Sequence, residues 1–76
     1  MKVWAYVFIT TSTPRAIVQM VRKISGVAKA DALFGTPDVI AIVEGDDIAS
    51  MDRVIDEIAL IKGVAATESK VARWID

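Results

Sequence analysis

The chain repeats a short pattern halfway along its length. Residues 24–30 read Ile-Ser-Gly-Val-Ala-Lys-Ala, and residues 61–67, 37 positions further on, read Ile-Lys-Gly-Val-Ala-Ala-Thr. Each copy follows a segment in which apolar residues recur at helical spacing, and each of those segments follows an apolar run typical of a strand. A match at a fixed offset with matching flanks indicates two copies of one β–α–β unit.

The first unit begins with a strand predicted over residues 2–11, which is rich in valine, isoleucine and aromatic residues. Ser12 or Thr13 can cap the helix that follows, and Pro14 suits its first turn because a backbone N–H there has no helical acceptor. Gly26 is predicted to end this helix in a left-handed conformation. The helix's predicted buried stripe is Ile17, Met20, Val21 and Ile24.

A second strand, over residues 27–34, leads into the turn Gly35-Thr36-Pro37-Asp38. The second unit then has a strand over residues 39–44, a helix with Asp46 or Asp47 as cap, and Gly63 as its end. A last strand is predicted over residues 64–74. The second helix's predicted buried stripe is Ile48, Met51, Val54, Ile55, Ile58 and Ile61.

The order of these elements is βαββαβ, the ferredoxin-like arrangement of the α+β class. Two right-handed crossovers place both helices on one face of a four-stranded antiparallel sheet. A chain of 76 residues is expected to form one domain, so residues 1–76 are predicted to be a single unit.

Neither face of the predicted sheet is polar. One face of the first strand carries Val3, Ala5, Val7 and Ile9. The opposite face is formed by Trp4, Tyr6 and Phe8, together with Ile40 and Ile42 of the third strand. Because helices can cover only one face, this second apolar set predicts a dimer, with two sheets packed back to back or wrapped into a dimeric αβ barrel. The alternative is a monomer in which the aromatic residues cover one end of a barrel-like structure.

Composition argues against most enzyme classes. The chain has no cysteine and no histidine, so disulfides, thiolate metal sites and a serine–histidine triad are excluded. We expect no enzyme, no catalytic residues, no metal and no cofactor. A formal charge of −1 without a basic run gives no footprint for nucleic acid. The longest apolar run, Val3–Ile9, is too short to span a bilayer, and no secretory signal is recognisable, so a cytoplasmic protein without membrane contact is predicted.

The turn at residues 35–38 is the best candidate for a ligand site. Its backbone N–H groups can receive a carboxylate, and Asp38 can receive an ammonium group, which is the pair of contacts that an amino acid requires. The alternative is an ordinary hairpin turn that Asp38 stabilises.

Three segments resemble the effector-binding RAM domain (regulation of amino acid metabolism) of the Lrp/AsnC, or feast/famine, transcription regulators. Residues 35–41 (Gly-Thr-Pro-Asp-Val-Ile-Ala) resemble the family's G-x-x-D followed by an apolar strand. Residues 61–69 resemble its glycine–valine segment followed by T-x-T, with Ser69 in place of the last threonine. Residues 5–11 resemble its first strand. Family regulators carry a helix-turn-helix before this domain, whereas this sequence starts on the first strand, so the resemblance predicts a stand-alone module without direct DNA binding.

The resemblance implies sheet-to-sheet dimers that assemble into rings, commonly octamers, with amino acid effectors bound between dimers. It carries Gly35, Thr36 and Asp38 over as ligand contacts, and Thr67 and Ser69 less directly. Such a module would sense an amino acid or related metabolite and would modulate full-length Lrp/AsnC regulators by mixed assembly. Two other interpretations share the element order: a dimeric αβ-barrel enzyme of the monooxygenase or isomerase type, and an ACT-type regulatory domain. Enzymes of that type use histidine, asparagine or tryptophan, but histidine is absent here, and Trp4 and Trp74 are more simply interface residues than catalytic ones.

Overall fold

The computed structural model of the chain describes residues 2–73. Its six elements follow the predicted order: β1 (Val3–Thr10), α1 (Pro14–Arg22), β2 (Val27–Ala32), β3 (Val39–Gly45), α2 (Ile48–Ala59) and β4 (Ala66–Val71). The strands form one antiparallel sheet in the order β2-β3-β1-β4. The predicted ferredoxin-like βαββαβ fold is therefore confirmed.

The repeated sequence pattern forms the same turn twice. In the first copy, Val27 N donates to Ile24 O, and in the second, Val64 N donates to Ile61 O. Gly26 and Gly63 have positive φ values of +100° and +104°, which a residue with a Cβ rarely adopts. The pattern Ile-x-Gly-Val therefore encodes the connection from each helix into the next strand.

Both helices end earlier than predicted, at Arg22 and Ala59. The chain continues beyond these ends through tighter bonds between residues three apart, such as Ile24 N to Val21 O and Ile61 N to Ile58 O. The glycines end these tighter turns and not the helices themselves. The predicted strands are also too long, since β2 ends at Ala32 and β4 at Val71, and the predicted end of the last strand at Trp74 lies outside the described residues.

The two helices begin in different ways. Asp47 caps α2 by a reciprocal pair of bonds: Ser50 N donates to Asp47 Oδ1 at 2.8 Å, and Asp47 N donates to Ser50 Oγ at 3.2 Å. At α1, Thr13 occupies the cap position but its side chain makes no capping hydrogen bond, so the predicted side-chain cap is wrong. Pro14 occupies the first helical position as predicted.

The core lies between the two helices and one face of the sheet. The predicted helical stripes are correct apart from Met20 and Ile48, which are 45% and 56% exposed. In α1 the buried face is centred on Val21, and Met20 lies about 100° around the helix from it. Val18, three residues before Val21, is buried instead. The fully buried large side chains are Val7, Ile9, Ile17, Val21, Val39, Val43 and Ile58.

Candidate functional site

The predicted ligand turn lies at the end of the sheet where β2 passes into β3. Leu33 N donates to Asp38 O at 2.8 Å, which closes the turn, and Asp38 N donates to Ile9 O at 3.0 Å. The Asp38 carboxylate is also engaged, since its Oδ2 accepts from Thr11 N at 3.0 Å. Asp38 therefore stabilises the turn, as the simpler interpretation of the sequence expects.

The same turn keeps groups that a ligand could use. Within residues 2–73, the backbone amides of Phe34, Gly35 and Thr36 donate to no protein acceptor. Gly35 has a φ of +110° and open space around the position of a Cβ. The other carboxylate oxygen, Asp38 Oδ1, accepts no hydrogen bond from any of residues 2–73. Consecutive free amides can receive a carboxylate, and a carboxylate oxygen can receive an ammonium group.

The structure divides the five predicted ligand residues into two groups. Gly35, Thr36 and Asp38 lie together in the turn. Thr67 and Ser69 lie on β4, opposite Ile9 and Val7 of β1. Because β1 separates β3 from β4, the two groups are about two strand spacings apart, roughly 9.5 Å. Thr67 is at the same end of the sheet as Asp38, and Ser69 lies further from that end.

Thr11 joins the two groups and was missed by the sequence analysis. It directly follows β1, and its side chain is 5% exposed, the one buried polar residue among those described. Its hydroxyl donates to Gly63 O at 2.7 Å, in the segment that leads into β4. A signal was available in the sequence, because position 11 continues the alternation of core-facing residues Val3 to Ile9 with a polar side chain.

The sheet face opposite the helices carries the predicted interface residues. Tyr6 pairs with Ile42 across β1 and β3, and Phe8 pairs with Ile40, so these side chains form one continuous strip. Trp4 and Tyr6 are 43% and 42% exposed. We call this the open face; it consists of Trp4, Tyr6, Phe8, Ile40 and Ile42.

Charged residues border the open face on both edge strands. Asp31 of β2 pairs with Ile40, and Lys29 pairs with Ile42, while on β4 Glu68 pairs with Phe8 and Lys70 with Tyr6. Within each edge the charges are neutralised, with Lys29 Nζ 3.4 Å from Asp31 Oδ2 and Lys70 Nζ 3.2 Å from Glu68 Oε1. An apolar centre with a polar border is the usual anatomy of a protein interface.

A polar depression of about 460 Å³ lies at the opposite end of the sheet from the ligand turn. It is lined by Lys2, Glu44, Arg53 and Glu57, among others, and contains no predicted site residue. The neighbouring Asp47 has a lowered pKa, chiefly because its carboxylate accepts a hydrogen bond from the Ser50 backbone N–H, with a smaller contribution from the Ser50 side chain. Asp47 is thus a helix cap, as the sequence indicates.

A profile of the Lrp/AsnC ligand binding domain matches residues 5–73, nearly the whole chain. The chain belongs to this family. The family is a regulatory ligand-binding domain of transcription regulators.

Among residues 2–73, neither helix is long and apolar enough to cross a membrane.

Individual proteins are also similar to this chain. The HTH-type transcriptional regulator LysM of Saccharolobus solfataricus is 39% identical, in a match that covers 79% of this chain and 45% of LysM. The chain thus spans less than half of that relative. The crystal structure of TTHA0845 from Thermus thermophilus is 25% identical and superposes with a TM-score of 0.88 over 97% of this chain and 96% of that one.

A third similar structure is that of a complex with an amino acid. The crystal structure of the transcriptional regulator NMB0573/L-Met complex from Neisseria meningitidis has a TM-score of 0.78 and 21% identity. The match covers 95% of this chain and 50% of that one. At this identity the likeness concerns the fold alone.

Proposed function

We propose that this chain is an effector-binding and oligomerisation module that senses an amino acid or a related small metabolite. The observation that carries the proposal is the turn at residues 34–38. There, three backbone amides that donate to no acceptor among residues 2–73 stand beside a carboxylate with one oxygen that accepts from no donor in that range. An α-amino acid presents a carboxylate and an ammonium group close together, which matches these two kinds of partner.

Membership of the Lrp/AsnC ligand-binding family supports this proposal. The structural neighbour described as an L-Met complex supports an amino acid as the class of ligand. The proposed effector contacts are Gly35, Thr36 and Asp38, with Thr67 and Ser69 on the far side of β1. No covalent chemistry is proposed, and the chain acts by binding.

The open face supplies the oligomerisation half of the proposal. A partner sheet would remove Trp4, Tyr6 and Phe8 from water, and burial of such side chains contributes about 25 cal/mol per Å² of apolar area. A second copy of the chain fits this face, since its own open face carries the same apolar centre and charged border. Dimers then assemble into a larger ring. Mixed assembly with full-length Lrp/AsnC regulators would let the module modulate them.

Calorimetric titration of the wild-type protein with each of the twenty amino acids tests the binding proposal. We expect one or a few related amino acids to bind with a dissociation constant below the millimolar range. No binding of any amino acid at millimolar concentration to the intact oligomer would contradict the proposal.

Two substitutions at Asp38 separate ligand binding from structure. Asp38→Asn keeps an oxygen that can accept from Thr11 N but removes the charge, so we expect the fold to persist and binding to weaken about tenfold or more. Asp38→Ala also removes the acceptor and should lower the free energy of unfolding by about 1–2 kcal/mol. Asp52→Asn, an exposed acid on α2 away from both the turn and the open face, is the matched control and should leave affinity unchanged. Wild-type affinity in Asp38→Asn would remove Asp38 from the site.

A further inference from the structure

Thr11 is a polar residue in an apolar position. The preceding residues of β1 that point toward the helices, Ala5, Val7 and Ile9, are all fully buried aliphatic side chains. Thr11 continues this series and is also buried. A valine would have the same shape without a polar atom, so the hydroxyl requires an explanation in its hydrogen bonds.

The hydroxyl of Thr11 holds the segment that enters β4. It donates to Gly63 O at 2.7 Å and accepts from Thr13 N at 3.1 Å. The neighbouring residue reinforces the same attachment, because Ala65 N donates to Thr10 O at 2.9 Å. These bonds fix the position at which β4, the strand that contains Thr67, begins.

The backbone of Thr11 holds the other flank. Its N–H donates to Asp38 Oδ2 at 3.0 Å, across a sequence separation of 27 residues, whereas the bond to Gly63 spans 52 residues. The Asp38 carboxylate thereby accepts the hydrogen bond that, further along β1, a backbone carbonyl of a neighbouring strand would accept. One residue thus contacts both the ligand turn and the segment leading to the β4 contacts.

We propose that Thr11 is a positioning residue that holds the two flanks of the effector site at a fixed separation. The proposal rests on the proposed function for its consequence, since the flanks form one site only if an effector contacts both. Thr11 itself does not contact the effector. Its backbone N–H occupies Asp38 Oδ2, so that Oδ1 is the oxygen left without a donor among residues 2–73, and its side chain fixes the approach to Thr67.

Substitution of the hydroxyl tests this role through binding. Thr11→Val keeps the shape of the side chain and the backbone N–H but leaves Gly63 O and Thr13 N without their partner. We expect the affinity for the amino acid that binds the wild type to fall about tenfold. Thr11→Ser restores the hydroxyl and should bring the affinity within about threefold of wild type. Ser12→Ala, at the exposed neighbouring position, is the matched control and should change nothing.

Nuclear magnetic resonance separates positioning from a loss of stability. In the wild type, saturation with the amino acid should shift the amide signals of the turn and also those of Gly63 and Ala65. In folded Thr11→Val the shifts at Gly63 and Ala65 should disappear while those of Gly35 and Thr36 remain. Equal shifts at Gly63 and Ala65 in both proteins would overturn the proposal and leave amino acid binding itself intact.

A ligand-free experiment decides the proposal even if no amino acid binds. Amide hydrogen exchange of Ala65 is measured in Asp38→Ala, in Thr11→Val and in the double variant. If Thr11 links the two flanks, each single substitution accelerates amide exchange at Ala65. The exchange rate in the double variant is then lower than the rate obtained by multiplying the two single accelerations. Independent, multiplicative effects, or no effect of Asp38→Ala at Ala65, would overturn the proposal.

Discussion

The two faces of the sheet are built from alternate residues of the same strands, yet they differ in what covers them. On the covered face Ala5, Val7 and Ile9 are inaccessible to water beneath the two helices. On the open face their neighbours Trp4 and Tyr6 are more than 40% exposed. On β1 the covered side chains are aliphatic, whereas those of the open face are aromatic.

This difference assigns separate tasks to the two faces. Aliphatic side chains on the covered face pack against the helices and form the core. Aromatic side chains bury much area each and are typical of interfaces between proteins. The covered face therefore accounts for folding of one chain, and the open face is the part of the molecule from which we infer association of two.

A charge placed on each face in turn is expected to have the largest and most different effects. Val7→Asp buries a carboxylate without a partner, at a cost of several kcal/mol, comparable with the roughly 4–11 kcal/mol expected for the whole domain. We expect this variant to be unfolded by circular dichroism. Tyr6→Asp, one residue earlier on the open face, should keep the helical signal and lose self-association. Equal loss of structure in both variants would contradict the assignment of separate tasks.

Two glycines extend the comparison to the chain turns. An alanine Cβ at Gly26 would lie 2.6 Å from Val54 Cγ2 of α2, in addition to the strain of a positive φ. Gly26→Ala should therefore lower the free energy of unfolding by about 2–4 kcal/mol, from strain and overpacking together. At Gly35 no atom lies within 4 Å of the Cβ position, so only the backbone strain applies, about 1–2 kcal/mol. Chemical denaturation measures both, and a larger loss at Gly35 would contradict this order.

The smallest expected change in stability concerns the cap of α2, one of the two helices over the covered face. The pKa of Asp47 is lowered in the folded state because Ser50 hydrogen-bonds its carboxylate. The ionised cap therefore stabilises the fold above the unfolded pKa of about 3.9, and this contribution is lost as the pH falls through the lower folded pKa. Asp47→Ala should melt at a lower temperature than wild type at pH 7, and the difference should shrink as the pH falls below 4. A difference that is independent of pH would show that the charge plays no part.

Much of the fold could be predicted because its signals are local. The repeated Ile-x-Gly-Val pattern, the helical stripes and the two-residue alternation each lie within a few consecutive residues. Helix ends were misplaced because the chain runs on beyond Arg22 and Ala59 in tighter turns that keep the same apolar spacing. Met20 and Val18 were exchanged because both fit a helical stripe, and only packing against the sheet determines its centre.

The site was less predictable because its connections are not local. The turn at residues 35–38 could be recognised from its glycine, proline and aspartate. Its attachment to Thr11, and the attachment of Thr11 to Gly63, join residues 27 and 52 positions apart. No pattern of neighbouring residues encodes such bonds, and only the polar character of Thr11 in an otherwise apolar series pointed to them.

The mass of the wild-type protein in solution, measured by light scattering over a range of concentrations, tests whether the open face joins two copies of the chain. A second copy on the open face predicts a mass of twice 8.2 kDa or a multiple of that value. The same measurement on Tyr6→Asp should give smaller assemblies, down to a single chain. A wild-type mass of 8.2 kDa at every concentration would mean that Trp4 and Tyr6 stay exposed to water, and it would contradict the association of two copies through the open face.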